Sequence, residues 1–134
     1  MATDITVRKS VTYGGEDRSW TIGDHDATAN VPLDFATFTG ANFTDGTIKS
    51  GCVLGKITAS GKYGPYDSAA TDGRQTANII LWDTTKIPSN TATLATAGGY
   101  WHGQVRVARL PYPSGLGALT AAARTQLTNI RFEG

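Results

Sequence analysis

The chain has 134 residues, of which 17% are charged, and its formal net charge is +1. This length fits one domain with one core. The Lys and Arg residues are scattered and form no basic patch that could neutralise phosphates, so nucleic acid is not an expected partner. No apolar run approaches the roughly 18 residues that cross a bilayer, so no membrane partner is expected either.

The composition predicts a mostly β fold. The sequence contains 16 glycines and many threonines. Thr suits a pleated, half-buried surface, and Gly supplies the bends between short strands. Cys52 is the single cysteine, which excludes an internal disulfide. The first ten residues lack the apolar centre of a secretion signal, so we expect synthesis in a reducing cytoplasm.

The N-terminal residues have the pattern of a strand with one apolar face. Lys9 interrupts an alternation that runs from residue 5 to residue 13, whose apolar members are Ile5, Val7, Val11 and Tyr13. A turn-forming segment at residues 14–17 follows, and Trp20 and Ile22 resume the alternation. Two interpretations are open: the two segments form a hairpin, or the first is an arm that pairs with a strand elsewhere.

The next segments are less regular. Residues 24–45 carry polar clusters and isolated phenylalanines without a sustained period, which predicts loops and short strands. Residues 48–57, with the sequence IKSGCVLGKI, predict one strand. Because Gly51 and Gly55 weaken a regular strand, we expect it to be curved.

Two later segments predict well-packed strands. Residues 79–82 are four consecutive apolar residues, the pattern of a central strand covered on both faces. Residues 101–107 alternate strictly, and the predicted wet face carries His102, Gln104 and Arg106. The predicted buried face carries Trp101, Gly103, Val105 and Val107. The prolines at positions 111 and 113 end this strand, since proline cannot donate to a ladder.

The last segment predicts a short amphipathic helix. Thr120 is a suitable N-cap, and the alanines at 121–123 have high helix propensity. Apolar residues recur at spacings of three and four, at Leu119, Ala123, Leu127 and Ile130, which is the period of one helical face.

The histidines do not predict a catalytic or metal site. His25 stands between Asp24 and Asp26, but adjacent residues on a strand point to opposite faces, so a polar turn is the favoured interpretation. The other histidine, His102, lies on the wet face of its predicted strand, where a solvated surface role is favoured.

Neither the cysteine nor the acidic residues form a recognisable catalytic set. Cys52 lies beside Val53 and Leu54, where a free thiol behaves as a small apolar group. Asp67 and Asp72 flank a short polar loop, and we expect them to bond their own backbone and hold turns. No Gly-x-Ser-x-Gly elbow, phosphate loop or dinucleotide fingerprint occurs. We expect no enzymatic activity, no cofactor and no metal.

Three separated blocks of sequence carry a family resemblance. The first contains VLGKIT at 53–58, GKYGPYD at 61–67 and AATDGRQTA at 69–77, and leads into the apolar run at 79–82. The others are HGQVRVARLPYPSG at 102–115 and LTAAARTQLTNIRFE at 119–133. In order, spacing and residue type, residues 51–133 resemble the phage head decoration protein family, which includes the lambda-type capsid-stabilising decoration protein.

This resemblance implies an architecture and a partner. It implies a compact β-rich domain of β-barrel-like or β-tulip-like form at residues 24–134, with an extended N-terminal arm at residues 1–23 and a short C-terminal helix. It also implies a homotrimer on the outer surface of the expanded head, where it bridges major capsid protein subunits. The expected location is the virion, after synthesis in the host cytoplasm.

Two segments are expected to make the contacts. The arm is implied to add a strand to the capsid, and its candidate residues are Asp4, Ile5, Thr6, Val7, Arg8, Lys9, Val11 and Tyr13. One arm binds weakly, whereas three arms on a trimer reinforce one another. The trimer or capsid contact is also expected to use rigid groups of the 61–67 segment, namely Tyr63, Pro65, Tyr66 and Asp67. The alternative, that this segment covers its own core, is open.

Two other functions are alternatives. A phage-surface carbohydrate- or receptor-binding β module would stack sugars on Trp82, Tyr100 or Trp101, although strand patterns favour core positions for these residues. A hydrolase would use Asp67 or Asp72 as an acid or base.

Overall fold

The structure is a computed structural model that describes residues 17–134, apart from the side chains of residues 24–26. Three single 3₁₀ turns, at Phe35–Thr37, Ala41–Phe43 and Val107–Arg109, lie between the main elements. The strands and the helix, in chain order, are β1 (Thr21–Pro32), β2 (Thr47–Ile48), β3 (Val53–Lys56), β4 (Tyr63–Pro65), β5 (Ala77–Leu81), β6 (Thr85–Lys86), β7 (Thr96–Arg106), α1 (Ala121–Gln126) and β8 (Ile130–Glu133).

Six strands form the main sheet, in the order β1-β7-β5-β3-β4, with β8 beside β7. One side of β7 pairs with β1, while its other side pairs first with β5 and then with β8. The β7–β8 pair is parallel and the other pairs are antiparallel. Strands β2 and β6 form a separate two-stranded sheet. The mostly β class predicted from the composition is confirmed.

The main sheet curls until its two ends touch. Leu33, directly after β1, forms a parallel bridge with Tyr63 of β4. The backbone N–H of Asp34 donates to the Tyr63 carbonyl oxygen at 2.9 Å. Because β1 and β4 are the first and last strands of the order, the sheet closes at this point into a barrel-like form.

The core lies on both faces of the sheet. Ile79 and Leu81 of β5 belong to a cluster that includes Phe35 and Phe43. Between them, Ile80 belongs to a second cluster, which includes residues of β7 and α1. Ile80 and Leu81 are fully buried, and Ile79 is 5% exposed. The prediction of a central strand covered on both faces is therefore confirmed.

The C-terminal helix is confirmed, but it is shorter than the apolar period suggested. Thr120 is its N-cap and accepts a hydrogen bond from the Ala123 N–H through Oγ1 at 3.1 Å. The helix ends at Gln126, and Ile130 begins β8. Ile130 pairs with Gly103 of β7. Pairing with the sheet gives the backbone groups of β8 hydrogen-bond partners in β7, which these residues would lose if the helix continued.

Residues 24–32 belong to β1, so the expectation of loops and short strands there is wrong. β1 is the edge strand of the order and pairs with β7 over most of its length. Thr28, Ala29 and Asn30 are all exposed. An edge strand with little buried surface lacks the apolar alternation by which strands are recognised, and here the backbone pairing with β7 determines the element.

The predicted strand at 48–57 is two strands in different sheets. Ile48 ends β2 and Val53 begins β3. Gly51 lies between them with φ +103°, and a Cβ there would lie 3.2 Å from the Trp20 ring. Both the positive φ and the close packing favour glycine. At Gly55, where the sequence predicted curvature, the β3–β5 register shifts between Leu54 and Gly55.

Strand β7 begins five residues before its predicted start and contains a bulge that reverses one prediction. Trp101, expected to be buried, is 42% exposed. Thr28 pairs with Tyr100 and Ala27 with His102, so Trp101 is an extra residue without a partner in this register. A bulge bends the strand and redirects side chains, and Tyr100 is fully buried while Trp101 faces outward.

Beyond the bulge the predicted alternation is mostly correct. His102, Gln104 and Arg106 are exposed, and Val105 is buried. Val107 lies in the 3₁₀ turn that follows β7, so the strand ends one residue before its predicted end.

Candidate functional site

The predicted arm lies mostly outside the described residues. This applies to all eight of its candidate contact residues, Asp4, Ile5, Thr6, Val7, Arg8, Lys9, Val11 and Tyr13, and to the predicted strand at 5–13 and its hairpin alternative. The arm was assigned to residues 1–23, but residues 21–23 form the start of β1, and Thr21 and Ile22 pair with β7. The body of the protein therefore begins before Thr21.

Arg18 holds the chain where it enters the body. Its Nε donates to the Trp82 carbonyl oxygen at 3.0 Å, and an Nη donates to Asp83 Oδ1 at 3.0 Å. The guanidinium carbon lies 4.3 Å from the centroid of the Trp82 ring. The other Asp83 oxygen accepts from the Gly98 N–H at 2.8 Å. The side chain thus links the start of the body to the end of β5 and to β7.

Trp20 continues this attachment into the core. It is fully buried, and its ring meets Tyr100 edge-on with centroids 5.0 Å apart. Its Nε1 donates to Ser50 Oγ at 3.2 Å, and that hydroxyl donates to the Trp82 carbonyl oxygen at 2.8 Å. The sequence marked Trp20 as an apolar strand residue but gave no sign of the Arg18 contacts, because their partners lie 64 and 65 positions away.

The segment predicted as a contact loop contains a short strand, and the residues at the C-terminal end of this strand are buried. Tyr63–Pro65 form β4, and both Pro65 and Tyr66 are buried. The Tyr66 hydroxyl lies 2.9 Å from Thr120 Oγ1, the N-cap group of α1. Pro65 and Tyr66 therefore cover the chain's own core, as the alternative interpretation expected. Tyr63 and Asp67 are only partly buried.

Asp67 and Asp72 hold the turns of the segment that follows. Asp67 Oδ1 accepts from the Ala69 N–H at 3.0 Å. Asp72 accepts from the backbone N–H of Arg74 at 3.2 Å and from its Nε at 3.0 Å. The backbone N–H of Arg74 is the main reason that the pKa of Asp72 lies below its usual value. The predicted turn-holding role is confirmed for both aspartates.

Glycines of the family motif let this segment lie directly against the sheet. A Cβ on Gly55 of β3 would lie 2.6 Å from the Arg74 Cα, and a Cβ on Gly64 of β4 would meet Thr37 and Arg74. No residue with a side chain fits at either position without moving its neighbours. The motif that carries the resemblance thus includes residues that build the fold.

Trp101 and Leu94 are the large apolar side chains that residues 17–134 leave most exposed, at 42% and 77%. The Trp101 ring lies 5.7 Å from the His102 ring. His102 also lines a recess of about 300 Å³ with Ile22, Gly103 and Arg131 among its other walls. The strand alternation predicted a buried Trp101 and so missed this surface, although the sugar-binding alternative had included Trp101 among its candidates.

The remaining candidates for chemistry are Cys52 and His25. Cys52 is fully buried, and burial raises the pKa of its thiol, so it acts as a small apolar group. The side chain of His25 lies outside the described part of the chain. Residues 17–134 contain no group of three or more side chains suited to a metal ion. Among the described helices none has the length and apolar character to cross a membrane.

Comparison with known proteins identifies the family. A search of curated proteins gave no match. The family model described as bacteriophage lambda head decoration protein D matches residues 25–131, which is well over half of the chain and includes β2 to β7, α1, most of β1 and the first two residues of β8. The family is a structural one, and it supports a capsid decoration role and a location on the virion. The chain belongs to the bacteriophage lambda head decoration protein family.

Proposed function

We propose that this protein binds the outer surface of the expanded phage head as a homotrimer and stabilises the shell by bridging major capsid protein subunits. The observation that carries this proposal is the family match over residues 25–131. The protein acts by contact alone and catalyses no reaction. Synthesis takes place in the host cytoplasm, before docking on the shell.

The arm supplies one set of contacts. Residues 5–13 add a strand to a capsid subunit, so that backbone hydrogen bonds give affinity and the alternate side chains Ile5 and Val7 give selectivity. The other residues assigned to the arm contact are Asp4, Thr6, Arg8, Lys9, Val11 and Tyr13. Each backbone bond contributes about 1 kcal/mol net. The ordering of the arm partly offsets this gain, so one arm binds weakly and three linked arms are needed for tight binding.

The body supplies a second set of contacts. Of the four residues assigned to the 61–67 segment, Tyr63 and Asp67 keep exposed surface, and we assign them to the contact between copies or with the capsid. Pro65 and Tyr66 support them from the core. The exposed Trp101 belongs to the same set, because tryptophan is enriched among the residues that dominate binding energy at protein interfaces.

Co-sedimentation with expanded, undecorated capsids tests the arm contact. Removal of Met1–Tyr13 leaves the described body intact and should abolish retention on the capsids. A matched pair of substitutions localises the effect: Ile5→Asp with Val7→Asp should release the protein, whereas Thr6→Ser with Arg8→Ser on the opposite face should weaken binding less. Full retention of the truncated protein would disprove the arm contact.

One observation favours a second candidate function. Trp101 exposes an aromatic ring next to His102, which lines a recess, and exposed rings of this kind stack on sugars and receptor groups. In this case the protein is a phage-surface carbohydrate- or receptor-binding module. Binding to a glycan array that is lost in Trp101→Ala would support that function, and the capsid proposal expects no such binding.

A further inference from the structure

The second half of β1 has an outer side that no backbone group in the described part of the chain covers. Residues 28–32 pair regularly with residues 96–100 of β7 on their inner side. On the outer side they have no strand partner among the described residues. The closure of the sheet begins only at Leu33, which bridges to Tyr63. Residues 28–32, called the open edge below, are about 17 Å long.

The bonds of Gly98 show which backbone groups of β1 are used by β7. The Trp82 N–H donates to the Gly98 carbonyl oxygen at 2.8 Å, and the Gly98 N–H donates to Asp83 Oδ2 at 2.8 Å. The backbone of Gly98 therefore faces away from β1. Because successive residues of a strand point their backbone groups to opposite sides, Gly99 faces β1. Its partner in the register is Ala29, so the backbone groups of Ala29 face β7.

The backbone groups on either side of Ala29 consequently point outward. Thr28 and Asn30 turn their N–H and C=O groups away from β7, and both residues are exposed. Natural edge strands are commonly protected by charged side chains, proline or a bulge, and residues 28–31 contain none of these. Pro32 has no N–H and ends the row of donors. The open edge can therefore accept a further strand.

An exposed apolar side chain lies at each end of the open edge. Trp101 is the extra residue of the bulge next to the Thr28 pair, and it is 42% exposed. At the other end, the Leu33 N–H donates to the Ala95 carbonyl oxygen. Leu94, directly before Ala95, is 77% exposed. A strand added at the open edge would reach both side chains, and tryptophan is enriched among residues that dominate binding energy.

We propose that the open edge of β1 binds an extended segment of the major capsid protein, which adds a strand to the sheet and packs apolar side chains against Trp101 and Leu94. This rests on the proposed function, because the partner is the subunit that the protein is proposed to bridge. The added segment is uncharged where it pairs, since residues 28–32 carry no charge and a charge buried without a partner is costly.

A second copy of the chain offers no equally suitable strand among its described residues. Strand β8 carries charges at Arg131 and Glu133, and β4 has three residues, of which Pro65 lacks an N–H. Strand β1 of a second copy would pair with itself about a two-fold axis, which a trimer lacks. A strand from a different protein therefore fits the open edge better.

Asn30→Pro in the full-length protein tests the backbone contact. It removes an outward N–H and leaves the bonds of Ala29 to β7, and proline is tolerated on the outer side of edge strands. We expect at least about fivefold weaker binding to expanded, undecorated capsids in a co-sedimentation titration, since one net hydrogen bond contributes about this factor. The matched control, Asn30→Ala, keeps the N–H and should bind like the wild type.

A second variant does not depend on the tolerance of the strand for proline. Thr28→Lys keeps every backbone group and places a charge on the open edge, which is a common protection of natural edges. It should also weaken capsid binding by at least about fivefold. Urea unfolding of the free variants checks that both are folded.

Hydrogen exchange locates the contact directly. In the free protein, the outward amides of Thr28 and Asn30 should exchange faster than the inward amides of Ala29 and Val31. On the capsid, the exchange of Thr28 and Asn30 should slow by at least about tenfold, because these amides become bonded to the added strand.

The results separate this proposal from the proposed function. If wild-type protein does not bind capsids, the proposed function fails and the capsid contact of the open edge fails with it. If the wild type binds, but Asn30→Pro and Thr28→Lys bind equally well, only the open-edge contact is disproved. Protection of Thr28 and Asn30 in the free protein would also disprove it. If that protection disappears when Met1–Tyr13 are removed, the occupant is the chain's own arm, and if it disappears on dilution, the occupant is a second copy.

Discussion

Tyr66 shows how a residue of the family motif serves the fold. Its backbone N–H donates to Val53 and its carbonyl accepts from Gly117. Its hydroxyl meets the N-cap group of α1, at Thr120. From the sequence, this tyrosine in a polar segment was interpreted as a surface contact. Its role in the core was not visible, because the helix that it supports begins more than 50 positions later in the chain.

Removal of the Tyr66 hydroxyl should be measurably destabilising. Tyr66→Phe leaves the ring in place and removes one partly buried hydrogen bond, so we expect the free energy of unfolding to fall by about 1 kcal/mol. Tyr63→Phe, at a partly exposed ring, should change it by less than about 0.5 kcal/mol. Urea unfolding at neutral pH measures both. Equal effects of the two substitutions would contradict the assigned role.

Tyr112 should make the protein sensitive to alkaline pH. Its hydroxyl accepts from the Lys49 N–H at 2.9 Å, and burial raises the pKa of Tyr112 to about 12. The unfolded chain releases this proton from about pH 10, before the folded protein does. This contribution to stability is therefore complete below pH 10 and is lost as the pH rises from about 10 to 12.

Tyr112→Phe removes this titration. We expect the variant to lose less stability between pH 10 and 12 than the wild type does. At neutral pH it should be less stable by about 1–2 kcal/mol, because the Lys49 N–H loses its acceptor. Urea unfolding at a series of pH values provides the comparison. An identical alkaline slope for the two proteins would show that Tyr112 is not the responsible group.

Strand β7 shows where pattern reading succeeds and where it fails. The period-2 pattern correctly predicted a strand and the exposure of its polar residues. It failed at Trp101, because a bulge adds one residue to the strand there. The alternation of buried and exposed side chains therefore does not continue unbroken across the bulge. The bulge depends on pairing with β1, and β1 itself has too little buried surface to show a pattern. Strand β5 was predictable because it is regular and its side chains are buried on both faces of the sheet.

The bulge has a clear energetic consequence. Trp101→Ala should lower the free energy of unfolding by less than about 1 kcal/mol, because the ring already meets water in the folded state. Tyr100→Ala, one residue away, empties a fully buried site and should cost about 3–5 kcal/mol. Urea unfolding of both variants tests this. A large loss of stability in Trp101→Ala would mean that the indole packs inside the protein.

Glycine and long-range contacts explain most of the other differences. Gly51 divides residues 48–57 between two sheets, whereas the sequence predicted only a bend. The anchor at Arg18 was missed because no local pattern marks its partners, Trp82 and Asp83. The family motif, in contrast, was recognisable because its glycines and aspartates must occupy fixed positions for residues 67–76 to lie against β3.

At the level of the whole molecule, our proposal gives the described body and the arm different roles. The body is a closed, doubly covered sheet that gives rigid support, and the proposed arm gives reach. Each contact is modest, so the cementing strength that we propose comes from three copies acting together. On this proposal, many modest contacts would let a protein of 134 residues reinforce a shell far larger than itself.

A density map of the intact particle tests the central claim most directly. The account predicts three copies of the body around three-fold positions on the outer surface of the expanded head. From each copy, density for residues 5–13 should continue past Arg18 and pair with a strand of a neighbouring capsid subunit. A particle exterior without density for this protein, or copies that touch only one capsid subunit each, would contradict the account.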